Sequence, residues 1–182
     1  MTNHAYRISR LRPFNLLLAL ALSLSVSLAA AHEKEEALHE ADVQFVKTAS
    51  QGNNAEVTLG QMAINKTQSS AVKKFGAQLV QDHSKANEKL LKLAHKYAVT
   101  VPTELSPEQQ QLKDSLAPLS GAEFDKKYMS AMVDDHKKDI EEFEKTAAHA
   151  RDSEVKQFAK QSLPTLKTHL HMAESIVKDQ TR

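Results

Sequence analysis

Leu79-Val80-Gln81-Asp82-His83 and, 53 positions later, Met132-Val133-Asp134-Asp135-His136 decide how this chain is read. Each pentapeptide lies in a long segment whose apolar residues recur every three or four positions, the rhythm of an amphipathic helix. In each, a histidine occupies a place where that rhythm asks for a core residue, and an aspartate stands before it. Amphipathicity explains the apolar stripe but does not call for Asp-His.

Working outward, Ser69 or Ser70 caps a helix over about 70–98, with Val72, Phe75, Leu79, Leu90, Leu93 and Tyr97 on its stripe. Ser120-Gly121-Ala122-Glu123 has capping-box spacing and opens a second helix, 121–150, striped by Phe124, Tyr128, Met132, Phe143 and Ala147. At an offset of 53 the two agree along the buried face, Phe75 with Tyr128, Leu79 with Met132, His83 with His136 and Leu90 with Phe143, which suggests a duplicated helical hairpin. Upstream, Asp42 can cap a helix to Lys66 carrying Phe45, Ala49, Glu56, Leu59 and Ala63, with a kink or break expected at the weak helix formers Gln51-Gly52-Asn53-Asn54. Downstream, Asp152 caps a helix over 153–178 with Val155, Phe158, Leu166, His169 and Ala173, and Pro164 should bend it. Ser106-Pro107 starts a short helix that ends before Pro118. These elements predict an all-α, antiparallel four-helix bundle over residues 42–178 with a short crossover helix.

Glu56, His83, His136 and His169 all fall about 13 to 16 residues into their helices. At ~1.5 Å of rise per residue they agree in depth within ~5 Å whichever way the helices run, so they form one polar layer. Burying such groups unpaired costs several kcal/mol each, so they must bond one another or hold a metal. Imidazole with carboxylate suits iron, zinc, copper or manganese, Asp82 and Asp135 being further ligands or their supports, and Met62, Met132 and Met172 add soft donors nearby. The alternative is a metal-free layer that fixes helix register through hydrogen bonds, the chain then being a structural or binding module. Nothing in the sequence supplies a nucleophile motif or an organic cofactor fingerprint, so catalysis is not expected.

The N-terminus reads as an export leader. Arg7, Arg10 and Arg12 precede the apolar run Phe14 to Leu28, and Ala29-Ala30-Ala31 gives a small-residue cleavage site. That run falls short of the ~20 residues a permanent membrane helix needs, so residues 1–31 are expected to be removed by the general secretory route, leaving no membrane insertion and a periplasmic or secreted protein. The charged segment 32–41 then forms a flexible extension. Losing three arginines and no acid turns the formal net charge of +1 into −2. With no clustered positive charge, nucleic acid is not an expected partner. With no cysteine, neither disulfides nor thiolate ligands are available.

Phe45-Val46-x-x-Ala49, Ala55-Glu56-x-x-Leu59-Gly60-x-x-Ala63, Val72-Lys73-x-Phe75, Asp82-His83-x-x-x-Asn87, Gly121-x-x-Phe124-Asp125-x-x-Tyr128, His136 and Leu163-Pro164-x-Leu166-x-x-His169-Leu170 together resemble the bacterial exported family known as domain of unknown function 4142. The resemblance covers roughly residues 42–178 and implies a ferritin-like bundle, without implying an activity. Ferritin-like di-iron enzymes carry two Glu-x-x-His motifs. The stripes here carry Asp-His instead, so di-iron oxygenase or ferroxidase chemistry is not expected. The outer-membrane label the family sometimes bears has no counterpart in alternating barrel strands.

Overall fold

Helix caps set the architecture. The computed structural model describes Met1 and residues 37–181. The rest of the expected leader, and residues 32–36 of the expected extension, lie outside the described residues. Five helices follow: α1 (Glu40–Lys66), α2 (Ser70–Lys96), α3 (Pro107–Leu116), α4 (Gly121–His149) and α5 (Ser153–Gln180). Ser69 accepts from the Val72 amide, Ser106 and Gln109 close a reciprocal capping box, and the Asp152 carboxylate accepts from the Glu154 and Val155 amides.

Three local expectations are corrected. His39, not Asp42, caps α1, its Nδ1 accepting from the Ala41 amide. Asp42 is instead buried in the first turn and accepts from the Arg151 and Asp152 amides at 3.0 and 2.8 Å, tying the start of α1 to the α4–α5 turn. No capping box forms at Ser120, because the chain enters α4 through Gly121 at φ +56°, a left-handed conformation open to glycine, and the Ser120 side chain bonds no first-turn amide. Nor does α1 break at 51–54. The Ser50 hydroxyl donates to Asn87 Oδ1 at 3.0 Å, and Asn87 Nδ2 donates to Asn54 Oδ1 at 2.7 Å, so bonds to α2 hold the weak stretch helical. Pro164 lies inside α5, as its position in the stripe predicts.

The ends of the helices reveal the topology. Asp42 of α1, Tyr97 just past α2 and the Arg151-Asp152 turn meet at one end, where Tyr97 Oη donates to Asp152 Oδ2 at 2.7 Å. At the other end Lys66, closing α1, reaches the Ala117 and Leu119 carbonyls just before α4. Residues 97–120 must therefore travel the length of the bundle, carrying α3, and Gln51 donates to the Glu104 carbonyl on the way. Helix α1 packs on α2 and α4 on α5, while α2 also lies against α5 and α1 against α4. All four neighbouring pairs are antiparallel, with one long crossover, which is the ferritin-like arrangement.

This topology corrects the expected hairpin duplication. The hairpins are α1–α2 and α4–α5, whereas the 53-residue offset maps α2 onto α4, the second helix of one onto the first of the other. These two run parallel across the bundle diagonal. Their likeness follows from facing the same axis, in the same direction, at the same depth.

Gly60 and Gly76 let α1 and α2 approach until a Cβ on either would stand 2.8 Å from the other's carbonyl oxygen. The buried apolar residues form two clusters. One gathers Phe45, Leu90, Phe143, Val155 and Leu166 toward the Asp42 end; the other gathers Leu59, Phe75, Leu79, Phe124, Tyr128 and Met132 toward the Lys66 end. Between them the core is polar. Among the described residues no helix is long and apolar enough to cross a membrane.

Candidate metal centre

Each long helix delivers one polar side chain to this middle layer. Glu56 on α1 is 1% exposed, His83 on α2 4%, His136 on α4 0% and His169 on α5 1%. One nitrogen from each of the three imidazoles lies within 4.8 Å of the other two, and their ring centroids are 5.3 to 5.9 Å apart.

The other ring nitrogens fix the tautomers. His83 Nδ1 lies 2.9 Å from Asn53 Oδ1, His136 Nδ1 2.9 Å from the Met132 carbonyl, and His169 Nε2 3.0 Å from Asp82 Oδ2. Oxygens of these kinds only accept, so each of those nitrogens carries the proton and donates. His83 Nε2, His136 Nε2 and His169 Nδ1 are then bare lone pairs, buried and without a hydrogen-bond partner. Three oriented lone pairs, each backed by an N–H held on oxygen, make the donor pattern of an imidazole metal site. A bound ion takes such nitrogens at ~2.0–2.1 Å.

Electrostatics keeps the rings ready. Burial, reinforced by the other two histidines, pushes His83 down to about 3, and burial with His169 pushes His136 down to about 4. His169 is also lowered by burial, an effect partly countered by Asp82. All three are neutral near pH 7, the form that binds metal. Burial works against ionisation of Asp82, but hydrogen bonds from Gln78 and His169 outweigh it and hold the carboxyl below its ordinary range.

The carboxylates divide by role. Asp82 supports His169 across the α2–α5 interface and makes no such bond to its sequence neighbour His83. Glu56 Oε1 lies 3.8 Å from His136 Nδ1, on the side of that ring already donating to Met132, and the Glu56 carboxyl lies against the Asp135 side chain. Burial first, then the Asp135 charge, a hydrogen bond with the Asp135 side chain and the Asp139 charge, raise Glu56 well above the carboxylate range and favour its neutral form. Asp135 thus acts on Glu56 while the three rings face one another. Met62, Met132 and Met172 belong to the apolar cluster toward the Lys66 end.

Sequence reasoning passed over several contributors. Asn53, three residues before Glu56 on the same stripe, was legible only as a weak helix former. The Met132 carbonyl has no side-chain signal at all. Tyr128, read as core, buries an unpartnered hydroxyl whose pKa is raised by burial and by Glu56. Asp139, one turn beyond Asp135, is raised by burial, Asp135 and Glu142.

A cleft of about 180 Å³ between α2 and α5 reaches this layer, with Asn53, Asp82, His83 and His169 among its lining residues.

Solved structures with similar folds share little sequence. A DUF305 fragment from Deinococcus radiodurans superposes with a TM-score of 0.71 at 15% identity, over 79% of this chain and 99% of that one. CopM in its Cu(II)-bound form gives 0.66 at 12% identity, over 76% and 96%, and CopM in Cu(I)- and Ag-bound forms matches as well. A DUF305 protein from Streptomyces coelicolor gives 0.68 at 11% identity, over 78% and 92%. No curated protein matches the chain. The sequence pattern of one family, however, matches residues 27–176, most of the chain including every helix that builds the histidine layer, and the protein belongs to that family, the domain of unknown function DUF4142.

Proposed function

We propose that this protein is an exported transition-metal binder whose ion sits among His83, His136 and His169. The observation that carries the reading is the cluster of three buried imidazoles, each with one nitrogen donating to oxygen and the other buried without a partner. A register-fixing network without an ion would spend those lone pairs on donors, and none of the three nitrogens accepts a hydrogen bond from a described residue.

Copper is the favoured occupant. The donors are neutral nitrogens, and burial with the Asp135 charge disfavours the ionised form of Glu56, the one carboxyl deep in the layer, whereas manganese and iron favour anionic oxygen. A monovalent ion also costs less than a divalent one to bury where Asp82 is the only carboxylate bonded to a ligand ring. That CopM, a similar fold, is known with Cu(II), Cu(I) and silver bound supports the choice. Asp82 orients His169, while Glu56 and Asp135 stand behind His136 and tune its surroundings. With an expected export leader, such a site serves metal buffering or storage in the periplasm and protection against metal stress.

Metal titration of the untagged mature protein tests this, with elemental analysis of the dialysed product. One copper per chain, bound tighter than micromolar and lost in the His83→Ala, His136→Ala double variant, is the expected result. Absence of tight binding by any first-row metal, or binding that survives the double variant, defeats it.

A further inference from the structure

The cleft between α2 and α5 ends on the candidate ligands. Its floor holds His83 and His169 with Asp82, its upper wall is Phe143 and Phe158, and its outer walls carry Lys85 and Lys89 from α2 and Gln161, Ser162 and Thr165 from α5. The cleft exists because α2 turns the small Ala86 toward it while α5 offers a serine and a threonine, so no large side chain closes the gap. At about 180 Å³ it is smaller than a drug-sized pocket and large enough for a few non-hydrogen atoms.

Its charge is asymmetric. Asp82 is the single acid on the lining, and its carboxylate is already engaged by Gln78 and His169. Lys85 and Lys89 are exposed at the mouth. The Ser162 hydroxyl donates to the Phe158 carbonyl, which leaves its oxygen only acceptor capacity toward the cleft. An ion held by three imidazoles keeps an open coordination position, and two of these three rings, His83 and His169, line the cleft.

Resting on the copper reading above, we propose that the α2–α5 cleft is an exogenous-ligand site: it admits a small monoanion, drawn in by Lys85 and Lys89, to the open position of an ion held by His83, His136 and His169. The anion binds the ion end-on with its body between Ala86 and Thr165. No bond within the protein is made or broken, and the ion keeps its oxidation state.

Azide titration of the Cu(II)-loaded protein, followed by absorption and electron paramagnetic resonance, tests this directly. A saturable azide-to-copper charge-transfer band is expected. Ala86→Leu, which fills the cleft without touching a ligand, should weaken azide binding about tenfold or more, equivalent to ~1.4 kcal/mol, with copper stoichiometry unchanged. Thr165→Trp at the exposed rim should act in the same direction and guards against a folding defect in the first variant. Lys85→Glu with Lys89→Glu should lower azide affinity several-fold, an effect that shrinks as salt is raised. If copper binds but azide leaves the spectrum unchanged, or binds equally well to both cleft-filling variants, the cleft proposal is overturned while the copper site stands. If wild-type protein binds no copper, both fall together.

Discussion

At the level of single residues, the layer sets acids and imidazoles against each other in their response to pH. His83 and His136 have depressed values in the folded state, about 3 and 4, so below the ordinary histidine range the unfolded chain binds protons that the folded one refuses. Their contribution is complete above pH ~6.5 and is lost as pH falls toward those values. Glu56 behaves oppositely. Its folded value is raised, so its contribution is complete below pH ~4.5 and is lost as pH rises. Asp139, pushed up to about 8, adds to that alkaline loss. Urea denaturation of the metal-free protein should therefore show greatest stability between about pH 4.5 and 6.5, falling on both sides by up to ~1.4 kcal/mol per pH unit for each group involved. Glu56→Gln should flatten the alkaline side and leave the acid side in place; an unchanged alkaline slope would remove Glu56 from the account. The depth count found these opposing groups because burial acts on stripe position, which sequence displays. It could not tell that Asp82 would serve His169 instead of His83, since that pairing depends on how α2 meets α5.

At the level of helices, the caps and crossings make two quantitative demands. Helix α2 ends in a Schellman arrangement, with the Val99 amide bonded to the Ala94 carbonyl at 2.8 Å and the Ala98 amide to the His95 carbonyl at 3.2 Å. The left-handed position in it, φ 53°, is filled by Ala98. Ala98→Gly should relieve that strain and raise stability by about 1 kcal/mol, read as a higher denaturation midpoint. Gly76→Ala should do the reverse of its usual helical effect. An added methyl there would meet the Gly60 carbonyl oxygen at 2.8 Å and Ala63 Cβ at 3.0 Å, and the oxygen is backbone. The ~1 kcal/mol that alanine normally gains in a helix is outweighed, and a lowered thermal midpoint is expected. Helix bounds were readable from Ser69, Ser106-Pro107 and Asp152 because caps are local chemistry. Gly121 shows where that reading fails: Ser120 and Glu123 have the spacing of a capping box, but a positive φ between them is invisible without coordinates.

For the whole molecule, the histidine layer joins two halves. His83 comes from the α1–α2 hairpin and His136 and His169 from α4–α5, so an ion at their centre would clamp one hairpin to the other. Because it binds the folded state alone, copper at a hundredfold excess over its dissociation constant should stabilise the protein by ~2.7 kcal/mol, measurable as a concentration-dependent rise in melting temperature. The rise should vanish in His83→Ala. The ferritin-like layout was legible from four striped helices and one short one, but the sharing of ligands between hairpins required knowing that residues 97–120 traverse the bundle. That traverse has another consequence. It is the one covalent connection between the hairpins, and Thr103 and Glu104 on it are exposed. A chain nicked there would consist of two complementary fragments, neither owning a complete ligand set, so the return of a copper spectrum on mixing would report their reassembly.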